Sequence, residues 1–277
     1  MKCWLLYNHS DAQKNKYYID MYFEQCRCRN IDIMLIICDN AVFFTESGIL
    51  KLKYENSAYD IPDFAVNRTR DFRISKILED FGVKVFNNSY VTQICNDKML
   101  TISLMAKNGI PVCDTALNGF IFKEPFVIKS LDGHGGNEVF LSENENTTKN
   151  FISKIGKPFL TQKKVSDVGK DLRVYVIGKE IIASMLRTNK NDFRSNFSLG
   201  GNAEIYTLSS EEKFLVKKII NFFDFGLVGI DFIFDRGKII LNEIEDVVGA
   251  RMLYQNTDVD IVSLYFDYIE AEITKGN

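Results

Sequence analysis

The spacing of apolar residues changes along the chain, and the change predicts two kinds of architecture. Over about the first 90 residues, short apolar runs alternate with stretches of helical spacing, which predicts β-α-β units and a small parallel sheet. The predicted strands are 3–8, 31–37, 65–68 and 83–87, and the predicted helices are 13–29, 73–81 and 95–108.

From about residue 120 onward, apolar runs come in pairs joined by short turns, which predicts antiparallel hairpins. The predicted strands are 126–129, 138–141, 229–234 and 239–245, with two more within 172–187. Helices are predicted at 209–223, with Ser209 or Ser210 as N-cap, and at 258–273. The predicted fold is therefore a small parallel α/β domain followed by two α+β subdomains that enclose a ligand site.

Three carboxylates lie on the last predicted hairpin, among residues that are otherwise apolar. Asp231 is on its first strand, and Glu243 and Glu245, which point to the same face, are on its second. Converging carboxylates repel one another, which raises the pKa of at least one of them unless a cation lies between them. Oxygen ligands suit Mg²⁺, which usually brings substrate phosphates with it. An edge hairpin with solvated acids is the alternative, and the apolar flanks favour the metal site.

Composition and charge exclude several classes of function. The 277 residues are 46% apolar and 26% charged, and the formal net charge of −3 gives no electrostatic signature for nucleic acid. No apolar run reaches the roughly 18 residues of a membrane helix, and the N-terminal run predicts a strand rather than a signal peptide. Six scattered cysteines without a zinc-type arrangement predict free thiols in a cytoplasmic protein.

A lysine and a glycine-rich loop between two predicted strands have the composition of a phosphate clamp. Lys129 supplies a point charge, and Gly133, Gly135 and Gly136 let backbone N–H groups approach phosphate oxygens without an intervening Cβ. The loop joins two strands and lacks the sequence of a Walker motif, so it is predicted to cover a nucleotide as a lid. A plain flexible turn is the alternative.

Arginines at two places are candidates for binding anionic groups. Arg187 and Arg194-Ser195-Asn196 follow the lid in sequence and would neutralise a phosphate or a substrate carboxylate, with a solvated surface loop as the alternative. Arg68 and Arg70, at the end of a predicted strand, are candidates for anchoring a carboxylate substrate. A solvated strand end is the alternative for this second pair.

Six short motifs occur in a fixed order over about residues 65–277. They are Asn96-Asp97-Lys98-Met99 through Asp114-Thr115, Phe126–Lys129 with Gly133 and Gly136, Leu160–Val165, Asp171–Val174, Phe193–Asn196 with Gly200-Gly201, and Gly229-Ile230-Asp231 with Glu243-Ile244-Glu245. No single motif is decisive, but together they resemble the ATP-grasp superfamily. Within it they are similar to the branch of carboxylate–amine ligases related to the glutamate ligase of ribosomal protein S6, the RimK type.

The resemblance implies an ATP-grasp fold and a ligase that forms an amide or peptide bond through an acylphosphate, releasing ADP and phosphate. It implies ATP and Mg²⁺ as cofactors, with Mn²⁺ as an alternative metal. The implied ATP-binding residues are Lys129, Gly133, Gly135, Gly136, Gln162, Lys163, Lys164, Val165 and Asp171. The implied metal ligands are Asp231, Glu243 and Glu245, the implied catalytic residues are Arg187, Arg194 and Asn196, and the implied substrate-binding residues are Arg173 and Arg251 besides Arg68 and Arg70.

The resemblance also implies how the chain is divided into domains. The implied domains are an N-terminal α/β domain at 1–92 and an ATP-grasp domain at 93–277, with a lid subdomain at about 115–160 and a C-terminal subdomain at about 161–277. The predicted partners are small-molecule or peptide carboxylates and amines, without nucleic acid or membrane, and a homo-oligomer is left open.

The chain departs from the RimK type at several positions. Glu245 replaces the usual Asn, Val248-Gly249 replaces a Pro-Gly in the segment that shapes the acceptor pocket, and the lid has Ser130 and Glu138 in place of Pro and Gly. Two alternative functions follow, a peptide-modifying ligase of natural-product biosynthesis and a non-catalytic nucleotide-binding module. The presence of Lys129 and of all three carboxylates favours an enzyme over the module.

Overall fold

The structure is a computed structural model of the chain, and it describes residues 1–136, 138–195 and 201–276. Its backbone contacts divide it into two compact units. The N-terminal unit comprises 1–93, 224–227 and the segment from Asp260 onward, and the second unit comprises 94–223 and 228–259. Among the described residues, no helix is both long enough and apolar enough to cross a membrane.

Short strands and helices alternate along the chain. Up to residue 107 they are β1 (Lys2–Tyr7), α1 (His9–Lys14), α2 (Lys16–Cys28), β2 (Asp32–Ile37), a 3₁₀ turn (Cys38–Asn40), β3 (Val42–Glu46), β4 (Ile49–Tyr54), β5 (Ser57–Asp60), β6 (Phe64–Asn67), α3 (Phe72–Asp80), β7 (Lys84–Phe86), α4 (Ser89–Cys95) and α5 (Lys98–Lys107). After it they are β8 (Thr115–Leu117), β9 (Phe126–Ser130), β10 (Val139–Ser142), α6 (Glu145–Ile155), β11 (Phe159–Lys163), β12 (Asp167–Ile177), β13 (Glu180–Thr188), β14 (Asn202–Ile205), α7 (Ser210–Ile220), β15 (Leu227–Asp235), β16 (Lys238–Glu245), α8 (Arg251–Asn256) and α9 (Ile261–Gly276).

The N-terminal unit contains the predicted parallel sheet, in the order β2-β1-β6-β7. Each neighbouring pair of strands in it runs parallel. Strand β1 is buried from Cys3 to Tyr7, as expected for a parallel strand that helices cover on both faces. Helix α9 also belongs to this unit, where Arg29, just after α2, forms ion pairs with Asp267 and Glu270 at 2.5 and 3.1 Å.

A three-stranded antiparallel sheet, β3-β4-β5, lies in the same unit and was not predicted. Leu50, Leu52 and Tyr54 alternate along β4, and all three are buried in a core cluster with Trp4 of β1. The alternation is typical of a strand with one buried face, and Lys51 and Lys53 are its polar half, so a local signal for this strand was present in the sequence. The sheet extends the core of the N-terminal unit over one side of β1.

Two predicted helices are each divided in the structure. The predicted helix 13–29 is α1 and α2, separated at Asn15, whose side chain donates to the backbone oxygen of Asp11 at 2.7 Å. The predicted helix 95–108 is the end of α4 followed by α5, because Asp97 accepts from the backbone N–H groups of Met99 and Leu100 and so begins a new helix. Asn and Asp side chains that bond to nearby backbone compete with helix interior positions.

The second unit contains two further sheets, in the orders β10-β9-β11-β8 and β14-β13-β12-β15-β16. The hairpins β9–β10, β12–β13 and β15–β16 are antiparallel, as predicted. Ser209 is the N-cap of α7 and forms a capping box with Glu212, which confirms the predicted start of that helix. The predicted α/β and α+β architecture is confirmed, whereas the boundaries of the two domains and two subdomains stay a prediction that limited proteolysis would test.

Candidate active site

The hairpin β15–β16 brings the three predicted metal ligands together. Asp231 pairs with Glu243 across the two strands, and Gly229 pairs with Glu245, so the three acids fall on neighbouring positions. A bulge follows Asp231 and shifts the register beyond it. One carboxylate oxygen from each residue lies within 4.8 Å of the others.

The three side chains fit a hard divalent cation. All of their donor atoms are carboxylate oxygens, which Mg²⁺ prefers. Asp231 is 1% exposed, and Glu243 and Glu245 are half-buried, so a bound ion would be shielded on one side and accessible on the other. Oδ1 of Asp231 accepts one hydrogen bond, from Arg173 Nε at 2.7 Å, and therefore keeps a lone pair for a ligand.

Two buried arginines lie against these carboxylates. Nε and Nη2 of Arg173, on β12, donate to Oδ1 and Oδ2 of Asp231 at 2.7 and 2.6 Å. The same Nη2 is 2.8 Å from Oε2 of Glu245. Arg187 of β13 donates to Asp231 at 2.8 Å and also forms a two-point ion pair with Asp171. These guanidinium groups supply positive charge that offsets the repulsion among the acids, in addition to any cation that the site binds.

The charges around each acid shift its pKa in a different direction. Burial alone would raise the pKa of Asp231, but Arg173 and Arg187 hold it below its usual value. In the same way, Lys98 and Lys129 hold the pKa of Glu243 below its usual value in spite of burial. Burial, and to a lesser extent the charges of Asp231 and Glu243, raise the pKa of Glu245 in spite of Arg173.

A cleft in the second unit is lined by all nine of the predicted ATP-binding residues. Glu243 lines it too, together with Lys98 and Lys129. Of the predicted residues, the others that line it are Gly133, Gly135, Gly136, Gln162, Lys163, Lys164, Val165, Asp171, Arg187 and Arg194. Asp231, Glu245, Arg173 and Arg251 are not among the residues lining this cleft.

Lys129 of β9 points into the cleft. Its Nζ donates to Oδ1 of Asn242 at 2.8 Å, and burial lowers its pKa. Asn242 precedes Glu243 on β16, and both residues line the cleft with Lys129. Because Asn242 is neutral, this hydrogen bond does not neutralise the ammonium of Lys129, which can still pair with an anion in the cleft.

Lys98 is a site residue that the sequence interpretation missed. It is 6% exposed at the start of α5, its Nζ is 3.4 Å from Oε2 of Glu243, and it donates to the backbone oxygen of Gly133. A signal was present, because Lys98 follows the helix-capping Asp97 within the first of the six motifs. Lysine is rarely buried without a charged partner or a function.

The glycine-rich loop, defined as Asp132–Gly136, is held to the wall of the cleft by side chains. A Cβ on Gly133 would clash with Oγ of Ser130 and meet Oε2 of Glu138 at 2.7 Å, so any other residue would displace these side chains. Gly136 has φ of +78°, a left-handed conformation that favours glycine, and its backbone oxygen accepts from Arg194 at 2.8 Å. Arg194 is also paired with Asp192 at 2.7 Å.

The predicted hinge is the end of β11 and the residues after it. Nε2 of Gln162 donates to Oγ1 of Thr115 at 3.1 Å. The backbone N–H of Lys163 donates to the oxygen of Asp114 at 3.0 Å, and its backbone oxygen accepts from Sγ of Cys113 at 3.1 Å. The N–H of Lys163 is therefore used within the protein, and Lys164 and Val165 after it line the cleft.

The remaining predicted residues lie elsewhere. Arg68 is 4% exposed within the N-terminal unit, with its guanidinium 5.8 and 5.0 Å from the ring centres of Tyr7 and Tyr18, so a solvated strand end is excluded for it. Arg70 pairs with Asp11 at 3.0 Å, and Arg251 is exposed at the start of α8. Asn196, predicted to be catalytic, lies outside the described residues.

Known proteins share both the sequence pattern and the fold. A sequence model of a family described as the RimK-like ATP-grasp domain matches residues 95–269. Human (Homo sapiens) beta-citrylglutamate synthase B is 26% identical over 278 residues, covering 91% of this chain and 72% of that protein. A probable alpha-L-glutamate ligase of Maridesulfovibrio salexigens is 30% identical over 213 residues, covering 72% and 71%.

Similarity of fold extends over nearly the whole chain. The crystal structure of D-alanyl-alanine synthetase A from Vibrio cholerae superposes with a TM-score of 0.75 at 14% identity, covering 99% of this chain and 98% of that one. The family match covers more than half of the 277 residues and includes the carboxylate hairpin and the cleft. The chain therefore belongs to the RimK-like ATP-grasp family and is an ATP-dependent ligase that forms carbon–nitrogen bonds.

Proposed function

We propose that the cleft of the second unit binds ATP with Mg²⁺ and that the chain joins a carboxylate to an amine through an acylphosphate. One observation carries the proposal. Three carboxylates have oxygen atoms within 4.8 Å of one another, and one of them, Glu243, lines a cleft together with Lys98, Lys129 and the glycine-rich loop. Oxygen ligands for a divalent cation beside lysines and glycine backbone are the parts of a phosphoryl-transfer site.

The chemistry needs charge neutralisation more than it needs a protein nucleophile. A carboxylate is a poor electrophile at neutral pH. Its oxygen attacks the γ-phosphorus of ATP, the bridging P–O bond to the β-phosphate breaks, and ADP leaves. The nitrogen of the amine then attacks the acyl carbon, the C–O bond to phosphate breaks, and the nitrogen loses a proton. Both steps place negative charge on phosphate oxygens, where fixed cations stabilise the transition state.

The residues of the cleft supply these fixed cations. Lys98 and Lys129 lie beside Glu243 and would contact phosphate oxygens, and Arg194, at the glycine-rich loop, would contact the transferred group. Arg187 is bound to Asp171 and Asp231, so we propose that it orients these acids as well as adding positive charge. The backbone of Lys164 and Val165 is proposed to contact adenine.

Asp231, Glu243 and Glu245 would hold the metal. When bound, Mg²⁺ or Mn²⁺ supplies positive charge to the phosphates and fixes their orientation. Asp231 is already oriented by Arg173 and Arg187, and Glu243 by Lys98. The ligands are therefore preorganised, and binding a cation costs little rearrangement.

A substrate screen tests the proposed reaction. The chain, ATP and Mg²⁺ are incubated with carboxylates paired with amino acids or dipeptides, and ADP release and product mass are recorded. A product with the combined mass of acid and amine less one water supports the proposal. Nucleotide binding without ADP release for any pair would favour the non-catalytic module, and release only with longer peptides would favour the peptide-modifying ligase.

Glutamate is the first amine to test. The names of both relatives described above contain glutamate: one is a beta-citrylglutamate synthase and the other a probable alpha-L-glutamate ligase. A second carboxylate on the amine substrate needs a cation, and exposed Arg251, six residues after Glu245, is the proposed anchor. We propose Arg68 and Arg70 of the N-terminal unit for the carboxylate substrate.

Lys129→Ala is expected to weaken ATP binding by about 10- to 100-fold, the value of one hydrogen bond between charged groups. The fold should persist, because the side chain forms its hydrogen bond with neutral Asn242 rather than filling the core. Isothermal titration calorimetry and the melting temperature measure the two effects. Lys154→Ala, an exposed lysine of α6, is the matched control and should bind ATP as the original chain does. Equal ATP affinity in the two variants would contradict the role of Lys129.

The setting of the reaction is also a proposal. The cysteines of the chain are free, which supports a reducing cytoplasmic environment, and the net charge of −3 supports partners other than nucleic acid or anionic membranes. Light scattering during size-exclusion chromatography distinguishes a monomer from a homo-oligomer.

A further inference from the structure

One lysine outside the cleft links the two ends of the glycine-rich loop. Lys157, in the turn between α6 and β11, is 2.7 Å from Oδ1 of Asp132 and 3.0 Å from Oε2 of Glu138. Asp132 begins the loop, and Glu138 lies after it, immediately before the returning strand β10. The ammonium therefore holds together two like-charged side chains that would otherwise repel each other.

Ser130 and Glu138 are hydrogen-bonded to each other and lie close to the backbone of Gly133 in the loop. Oγ of Ser130 donates to Oε2 of Glu138, and the backbone N–H of Ser130 donates to the backbone oxygen of Glu138 at 3.3 Å. A Cβ on Gly133 would come within 3.2 Å of Cβ of Glu138 and closer still to its carboxylate. The backbone of Gly133 therefore packs closely against the side chains of Ser130 and Glu138.

Gly133 in turn orients a cation of the cleft. Its backbone oxygen accepts from Nζ of Lys98, and the same Nζ is 3.4 Å from Oε2 of Glu243. Lys98 is 6% exposed, so its ammonium has few other positions open to it. Lys157 is thus paired with Glu138, Glu138 lies close to the backbone of Gly133, and Gly133 accepts from Lys98.

We propose that Lys157 is a positioning residue for the nucleotide site: by holding Asp132 and Glu138 it fixes Gly133, and Gly133 fixes the ammonium of Lys98 beside Glu243. The inference rests on the proposed function of the cleft. Lys157 itself does not line the cleft, so it acts through the loop rather than by contact with phosphate.

Loss of Lys157 should change the position of the loop without much change in the free energy of unfolding. The side chain of Lys157 is 36% exposed, and that of Asp132 is 64% exposed. Ion pairs at such exposure contribute little to the free energy of unfolding. Loss of the lysine leaves Asp132 and Glu138 to repel each other, which displaces the loop without unfolding the unit. The expected effect is therefore on nucleotide binding.

The test compares Lys157→Met with Lys149→Met. Lys149 lies on α6 and forms an exposed ion pair with Glu145 at 2.6 Å. Its replacement is the control, because it removes a surface ion pair away from the loop. We expect Lys157→Met to raise the dissociation constant and the KM for ATP by about three- to tenfold, with a smaller change in kcat. Lys149→Met should leave all three unchanged, and both variants should melt within about 2 °C of the original chain.

Two further variants separate positioning from a general loss of charge. Lys157→Arg keeps the cation and should restore ATP affinity to within about twofold of the original chain. In a Lys98→Met background, Lys157→Met should have no further effect on ATP affinity, because the residue through which it acts is gone.

The outcomes distinguish this inference from the proposed function. If the original chain binds no ATP, the nucleotide site itself is refuted, and the inference with it. If the original chain binds ATP and Lys157→Met matches Lys149→Met, only the role of Lys157 is refuted. A full additional loss in the Lys98→Met background would also refute it, because Lys157 would then act by another route.

Discussion

Replacing Glu243 by glutamine is expected to reduce ADP release at least about 100-fold, the usual cost of removing one preorganised charge from a transition-state site. Glu243 is the one acid of the three that lines the cleft, and it is also the partner of Lys98. Gln keeps the shape of the side chain but cannot supply the negative charge that a divalent cation needs. ADP release with saturating Mg²⁺ and ATP measures the loss.

The same variant also tests the electrostatics of the metal-free protein. Repulsion among three acids would by itself predict that Glu243→Gln stabilises the fold. The positive charges of Lys98 and Lys129 make the expected change in stability negative instead. Since they hold the pKa of Glu243 down, its ionised form is favoured by folding, and its removal should lower the melting temperature slightly.

Glu245→Gln is the matched comparison and should do the opposite. Burial and the charges of Asp231 and Glu243 raise the pKa of Glu245, so folding favours its neutral form and its charge costs stability at neutral pH. The variant should therefore melt higher than the original chain in chelator. Unchanged ADP release in Glu243→Gln, or a higher melting temperature for it, would contradict this account of the hairpin.

The carboxylate hairpin could be predicted because its geometry is local. Side chains two residues apart on a strand share a face, and the short turn between β15 and β16 places Asp231 opposite Glu243. The parallel arrangement of the N-terminal strands could be predicted for a similar reason, since their apolar runs alternate with helical spacing. The glycine-rich loop and Lys129 are likewise contiguous in the sequence.

The contacts that the two arginines make with the hairpin could not be predicted from the sequence. Arg173 is separated from Asp231 by 58 residues, and Arg187 by 44, so no local pattern shows that they meet. Sequence similarity singled out both, but as residues that bind substrate or act in catalysis. The contact of Lys98 with Glu243 was missed for the same reason, because it depends on how α5 and β16 pack.

Arg173→Met is expected to lower the free energy of unfolding by about 3–5 kcal/mol, the usual cost of removing one partner from a buried ion pair. Arg173 is 6% exposed and satisfies both oxygens of Asp231, which is itself 1% exposed. Met fills a similar volume, so the loss comes from charge rather than from a cavity. Asp231 would keep Arg187, whereas Glu245 would lose the arginine that lies 2.8 Å from it.

Urea denaturation of three variants isolates the charge effect. Arg73→Met removes an exposed arginine that is paired with Asp71 at 3.3 Å, and should cost less than about 1 kcal/mol. The double variant Arg173→Met with Asp231→Asn should lose less stability than the sum of the two single variants, because the second change removes the buried acid that the first leaves with only one of its two arginines. Additive losses would show instead that Arg173 stabilises the unit through packing, and the carboxylates would then have to be held together by something other than their arginines.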